Sequence, residues 1–447
     1  MNAGKTLVIT IGTGNVDELE TSLITPLRKS MAAGDWAKIV LLPSKITVET
    51  AERLIQDGSC GSMVLRPLPC PGDEYEPDTC FAHFDSVLAD LIHEGTCPQN
   101  ITADFTRGTK VMSAALVLAA TRHGVPTLRY ITGDQRDSRH MVVGGSEIIK
   151  DGSTTYVTAQ RQLDAARTLI ESGNFAAVLM LLPDPDSPFA PLVPDKLRAG
   201  ISAARAIAAF YAAWDRLDFA RADDICKAAI SASLPQGWSH LAVPDGAGRW
   251  VRQLAEGTKA EESLRRSDKT GMAEHAGRLS AELIANARRR IAESQFEDAS
   301  LRVYRATELI GQALLFARGF DSQYMPPDDP AVAAFKEEMD KKKSAGIGQA
   351  NKDGTLTFPR DKVARFLKRL EEPLGAELTK LGERTDVKAR NESILIHGFR
   401  STGPKDSPPL KAALDSLQNI LLRAFPVSAE NWLRSADAVP PRLNPRP

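Results

Sequence analysis

Arg390 and His397 stand seven positions apart in the segment DVKARNESILIHG, which runs from Asp386 to Gly398. Asp386 suits a helix N-cap and Gly398 suits the position after a helix end, so the stretch between them is expected to be helical. At 100° per residue, seven positions bring two side chains back to nearly the same face, roughly 10 Å apart along the axis. Asn391 lies beside Arg390. Metal-free RNA cleavage needs a group that moves the 2′-hydroxyl proton and a cation for the charged pentacoordinate phosphate. A histidine and an arginine are such groups, and the product would be a 2′,3′-cyclic phosphate. A histidine in the last turn of a helix is biased toward its charged form by the helix dipole, which suits an acid. Taken alone, the pair reads more simply as a capping histidine and a solvated arginine.

Two further loops have chemistry suited to an anion. Gly12-Thr13-Gly14-Asn15 follows the strand-like run TLVITI, and DFTRGTKVM occupies 104–112. Glycines let backbone N–H groups approach a phosphate, and a helix beginning near Lys110 adds a partial positive charge. Thr106 and Thr109 supply hydroxyls, Arg107 and Lys110 supply charge, and Gly108 lies between them. Neither loop matches G-x-G-x-x-G or G-x-x-x-x-G-K-[ST], which disfavours a nicotinamide dehydrogenase or a P-loop NTPase. The bland alternative is a pair of ordinary strand-to-helix turns in which threonine caps the helix. In Phe296–Phe316, Val303, Ala306, Ile310, Ala313 and Leu314 form an apolar stripe. Arg305, Glu308 and Gln312 line another face, as a site border or a solvated ion pair.

These loops need a frame, and the first 150 residues supply one. Strand-like runs at Thr6–Ile11, Lys38–Leu42, Met63–Leu68, Ile101–Phe105 and Leu128–Thr132 alternate with helical patterns near 17–31, 48–56, 80–93 and 110–123. Helical crossovers of this kind give a mostly parallel sheet covered on both faces, with ligands beyond the carboxyl ends of its strands. A hairpin of Met141–Val143 and Glu147–Ile149 about Gly144-Gly145 is expected to end the domain. From about Gln160 the chain turns Ala-, Leu- and Arg-rich with helical spacing. Helical hairpins are expected at Gly173-Asn174-Phe175, Leu217-Asp218-Phe219 and Ser294-Gln295-Phe296, with no fixed repeat. Residues 325–360, with Pro326-Pro327 and Lys341-Lys342-Lys343, read as a long loop or partly disordered insertion. The expected division is an α/β domain over 1–155, a helical middle over 156–285, a second helical domain over 286–437 and a loose Pro-rich tail over 438–447.

Composition sets the outer bounds. The chain has 447 residues, 43% hydrophobic and 25% charged, with a formal net charge of -1. That balance excludes a protein that coats nucleic acid or membrane by bulk charge, so any nucleic acid must be held at a local site. No stretch is apolar over the roughly 18 residues that a membrane helix needs. Nor does the N-terminus resemble a signal peptide, so a cytoplasmic location is expected. The cysteines, Cys60, Cys70, Cys80, Cys97 and Cys226, form no C-x-x-C pair and are odd in number, which indicates neither a zinc site nor a disulfide framework.

Together these segments resemble a known family. Asp104–Met112 resembles the D-x-T-x-G-T-K-x-M signature of CARF domains, the Rossmann-like sensors of CRISPR-associated proteins. Arg390–Gly398 resembles the R-x(4–6)-H motif of HEPN ribonucleases, and Tyr304-Arg305-Ala306-Thr307-Glu308 is similar to a Y-R-A-x-E segment of that family. The resemblance implies an N-terminal Rossmann-like CARF domain followed by an all-α region ending in a HEPN domain. It further implies a type III CRISPR ancillary ribonuclease, allosterically activated by a cyclic oligoadenylate held across a CARF homodimer. Such an enzyme cuts single-stranded RNA without metal or other cofactor. Carried over, Gly12, Thr13, Gly14 and Asn15 with Thr106, Arg107, Gly108, Thr109 and Lys110 would hold the activator. Arg390, Asn391 and His397 would form the catalytic site. Arg107 stands where the family often has glycine, a departure that bears on ring size and ring cleavage. The alternative reading is a CARF sensor whose helical half is a non-catalytic scaffold or regulator.

Overall fold

In the computed structural model the described residues are 4–14, 19–56, 62–135, 143, 146–187, 193–341, 349–383 and 401–439. The chain divides into two compact units, Met1–Asp164 with Pro185–Arg198, and Ala165–Asp184 with Ala199–Pro447.

The first unit is built on a six-stranded sheet. Strands β1 (Lys5–Ile11), β2 (Trp36–Pro43), β3 (Ser62–Leu65), β4 (Ile101–Arg107), β5 (Thr127–Gly133) and β6 (Glu147–Ser153) lie in the order β3-β2-β1-β4-β5-β6. Every neighbouring pair is parallel except β5 with β6. Helices α1 (Thr25–Ala32), α2 (Val48–Gln56), α3 (Pro77–His93) and α4 (Lys110–Arg122) make the connections. β1 is buried on both faces, which is why it reads as an unbroken apolar run. Its alternating side chains feed two cores. Leu7, Ile9 and Ile11 meet Ile39, Leu41, Leu27 and Leu54, while Val8 meets Val40, Ala103, Phe84 and Leu116.

The terminal hairpin differs from the sequence expectation. β6 pairs with β5 over seven residues, from Thr127↔Ser153 to Gly133↔Glu147. Val143 lies outside any strand and its N–H donates to the Gln135 carbonyl; Met141, Val142, Gly144 and Gly145 are outside the described residues. The longer ladder satisfies more main-chain groups than a three-residue hairpin would.

The second unit is helical. It takes in the end of α5 (Thr155–Glu171), then α6 (Phe175–Leu181), most of α7 (Asp195–Asp215), α8 (Phe219–Ile230), α9 (Asp245–Lys259) and α10 (Glu261–Ser267). The long α11 (Lys269–Ala292) and α12 (Phe296–Ala317) form its central hairpin. Phe175, Phe219 and Phe296 each open a helix and are buried. Two positions before each phenylalanine the backbone turns left-handed, at Gly173 (φ 71), Leu217 (φ 64) and Ser294 (φ 60). The helix ahead closes there with a six-to-one bond, for example from the Gln295 N–H to the Arg290 carbonyl at 2.8 Å. A shared turn geometry therefore underlies the three similar breaks.

Between α7, α9 and α11 lies a buried polar staple. The Glu282 carboxylate is fully buried, accepts from the indole N–H groups of Trp214 and Trp250 at 3.0 Å each, and pairs with Arg289 at 2.9 Å. The described parts of 325–360, which are 325–341 and 349–360, hold more regular structure than expected. They hold α13 (Pro330–Lys341), the two-residue pair β7 (Gln349–Ala350) and β8 (Leu356–Thr357), and the start of α14 (Arg360–Arg369). Val332, Phe335 and Met339 recur at helical spacing on the buried face of α13, a period masked in the sequence by the flanking prolines and lysines. Phe335 joins Phe358 and Phe366 in one aromatic cluster. α15 (Pro373–Glu383), α16 (Ser407–Ala424) and α17 (Ala429–Ala436) complete the unit.

Candidate functional site

Strand order reverses between β1 and β4, since β1 continues to β2 on one side and β4 to β5 on the other. Crevices form at such a switch point, beyond the carboxyl ends of the strands. The two loops singled out by sequence leave those two ends. They interlock through backbone, with the Gly12 N–H donating to the Arg107 carbonyl. A Cβ at Gly12 would stand 2.6 Å from that oxygen, and one at Gly108 would stand 3.0 Å from Thr10 and 2.9 Å from Met112. Both glycines are thus demanded by close approach. Gly14 lies at φ 66, exposed beside exposed Thr13. Asn15 is outside the described residues.

The second loop is anchored from below by Asp104, which is fully buried. Its carboxylate accepts from the Ser30 hydroxyl, from the Thr106 hydroxyl and from the Thr106 N–H at 2.9 Å. Burial pushes its pKa above the usual carboxylate range against these donors and Arg129. The Thr106 hydroxyl also accepts from the Ile131 N–H at 2.9 Å. Thr109 caps α4, accepting from the Met112 N–H at 3.1 Å and donating to the Glu74 carbonyl at 2.7 Å. Both hydroxyls therefore hold the loop's shape: Thr109 as the helix cap of the bland reading, Thr106 as a tie between Asp104 and Ile131.

Charge at the crevice comes from Arg107 and Lys110. Arg107 is half-buried, its Nε has no acceptor among the described residues, and burial lowers its pKa while Tyr130, Glu147 and Asp104 oppose that shift. Lys110 is exposed at the first position of α4, where the helix dipole adds to its charge. Two contributors escaped the sequence reading. Ser30 reaches Asp104 from α1, and Glu74 tethers Thr109 through its carbonyl, neither with any local motif to mark it.

Arg390, Asn391 and His397 lie outside the described residues, as does the helix expected over 386–398. The described flanks on either side reach the same helix. α15, which ends at Glu383, lines a cavity with Thr307 and Gly311 of α12. After the gap, the Thr402 N–H and hydroxyl both donate to Glu297 in the first turn of α12, the N–H at 3.1 Å. The apolar stripe of α12 is buried as expected, and Arg305 pairs with Glu308 at 3.0 Å.

Comparison with known proteins bears on both units. Residues 270–421 match the family model described as the Csm6 HEPN domain. Among solved structures the fold is similar to that of Enterococcus italicus Csm6 bound to cyclic hexa-2′-fluoro-hexa-dAMP, at 12% identity and a TM-score of 0.56. That likeness covers 99% of this chain and 100% of the other. No curated protein matches by sequence. The resemblance to CRISPR-associated CARF–HEPN proteins, drawn from short motifs, thus extends to a matched HEPN domain and to the fold of the whole chain. An α/β sheet unit followed by a helical unit holding the HEPN segment is the fold class that the sequence indicated, and the enzyme class that this domain supports is endoribonuclease.

Proposed function

We propose that this chain is a cyclic oligoadenylate-activated endoribonuclease of type III CRISPR defence. It cuts single-stranded RNA without metal by attack of a 2′-hydroxyl on the adjacent phosphodiester. The observation that carries the reading is the interlock of the two glycine loops at the β1/β4 switch point, in a chain whose residues 270–421 match a HEPN domain. Gly12–Asn15 and Arg107–Lys110 bind the ring, with backbone N–H groups, Arg107 and Lys110 facing its phosphates while Thr106 and Thr109 keep the loop in shape. A symmetric ring is best read by two copies of one surface, so the active form is a homodimer. His397 moves the proton, Arg390 stabilises charge on the pentacoordinate phosphorus, and Asn391 positions one of them. The domains run over 1–155, 156–285 and 286–437.

The test is incubation of purified protein with labelled single-stranded RNA in chelator, with and without each cyclic oligoadenylate. The expected result is cleavage that one ring size stimulates, fragments ending in 2′,3′-cyclic phosphate, and loss of activity in His397→Ala. Stimulated cleavage that survives His397→Ala overturns the catalytic assignment. Equal affinity for ring and linear adenylates overturns the sensor assignment.

A further inference from the structure

The helical unit contains a cavity that the proposed catalytic residues do not account for. It lies between α12, α14 and α15, has a volume of about 80 Å³, and is lined by Thr307, Glu308, Arg360, Arg365, Thr379 and Gly382 among others. A buried water needs only about 10–15 Å³ by the same measure, so there is room for a phosphoryl group. Arg360 opens α14 and its guanidinium lies 4.8 Å from the centroid of the Tyr304 ring. One of its nitrogens, Nη2, donates to the Gly382 carbonyl at 3.5 Å. The other, Nη1, is buried and has no acceptor among the described residues. A buried cationic donor without an acceptor is costly, and its natural complement is an anionic oxygen.

The surroundings favour an anion. Glu308 is paired with Arg305 at 3.0 Å and Asp361 with Lys362 at 3.6 Å, while Arg365 is exposed on the rim. The cavity therefore presents guanidinium charge that its carboxylates do not fully neutralise. Gly382 precedes Arg390 by eight positions, so the chain passes from the wall of this cavity into the HEPN motif.

We propose that this cavity is a phosphate subsite for single-stranded RNA, in which Arg360, backed by the Tyr304 ring, binds a backbone phosphodiester of the strand. It rests on the ribonuclease reading and deepens it. Arg360 acts by binding and registering the strand, and Arg365 adds charge at the entrance.

Binding is tested on full-length protein carrying His397→Ala, so that RNA stays intact, by fluorescence anisotropy with a labelled oligoribonucleotide across a salt series. Arg360→Ala is expected to weaken binding about ten-fold and to lower the salt slope by about one. Arg360→Lys should recover only part of the loss, because it keeps charge without the planar fork. Arg365→Glu, an exposed change, should also weaken binding and carries the test if Arg360→Ala does not fold. Unchanged RNA affinity in a folded Arg360→Ala variant, or in Arg365→Glu when the former is unfolded, overturns the proposal. So does a loss of affinity for cyclic oligoadenylate in place of RNA. The parent chain is assayed for cleavage in parallel. If it fails to cut while Arg360→Ala still weakens RNA binding, the ribonuclease reading fails and the subsite stands.

Discussion

Replacing Asp104 by alanine removes the acceptor of three hydrogen bonds, from the hydroxyls of Ser30 and Thr106 and from the Thr106 N–H. Each buried donor left unpaired costs about 1–3 kcal/mol, while burial of the carboxylate carries a desolvation penalty that the substitution relieves. The expected net loss is about 2–4 kcal/mol, or roughly 4–16 °C in the melting of the sheet unit at about 2–4 °C per kcal/mol. Asp104→Asn keeps an oxygen for Thr106 and should lose less than half as much. Because Thr106 also accepts from Ile131, the loop that carries Arg107 and Gly108 should loosen before β5 does, and affinity for the cyclic activator should fall at least ten-fold in Asp104→Ala. Urea unfolding and a calorimetric titration with cyclic oligoadenylate measure the two effects. Equal losses in Asp104→Asn and Asp104→Ala, or unaltered activator affinity in a folded Asp104→Ala, would refute the reasoning.

Other expectations follow from the helical unit. Glu282→Ala strips the partner from two buried indoles and from Arg289, and should cost about 3–5 kcal/mol in urea unfolding; Glu282→Gln should retain more of that stability. Ser294→Gly relieves a left-handed, exposed L-residue and should raise stability by up to about 1 kcal/mol, whereas Ser294→Ala should not. His275 is buried against Gly257, and desolvation, then Arg278, pull its pKa down to about 4 from 6.5, with Glu261 opposing. The unfolded chain then binds the extra proton, so stability should fall as pH drops from 6.5 through about 4. His275→Gln should flatten that dependence, and urea midpoints at pH 4.5 and 7 decide it.

Much of the sheet unit was legible because its signals are local. TLVITI is apolar on both faces, as a central parallel strand must be, and α2 spans Val48–Gln56 as its pattern predicts. The glycines of the crevice were legible as well, since only a missing Cβ lets Gly12 and Gly108 approach the neighbouring backbone and Thr10. The threonines were harder to place. Their hydroxyls look like ligand groups in a linear motif, and only the fold reveals that Ile131 and Glu74 claim them. The strand at Glu147–Ile149 was placed inside β6 but given the wrong partner, because pairing depends on a distant strand while the sequence offered a glycine pair nearby. α13 was hidden by Pro326-Pro327 ahead of it and by the lysines at its end, although a further proline, Pro330, opens it. Arg360 carried no motif at all; its significance comes from Tyr304, distant in sequence, and from a nitrogen left without an acceptor.

A floor made of bare main chain has a consequence for diversification. Any larger residue would collide with the Arg107 carbonyl at Gly12, or with Thr10 and Met112 at Gly108, so the meeting point of the two loops offers no place to write new selectivity. Discrimination among rings of different circumference would have to be composed at the margin, where Thr13 and Lys110 are exposed and can change without disturbing the sheet, whereas Gly14 is held to glycine by its left-handed backbone and by Leu23. Variants altered at those two places are the natural starting library for retuning such a sensor.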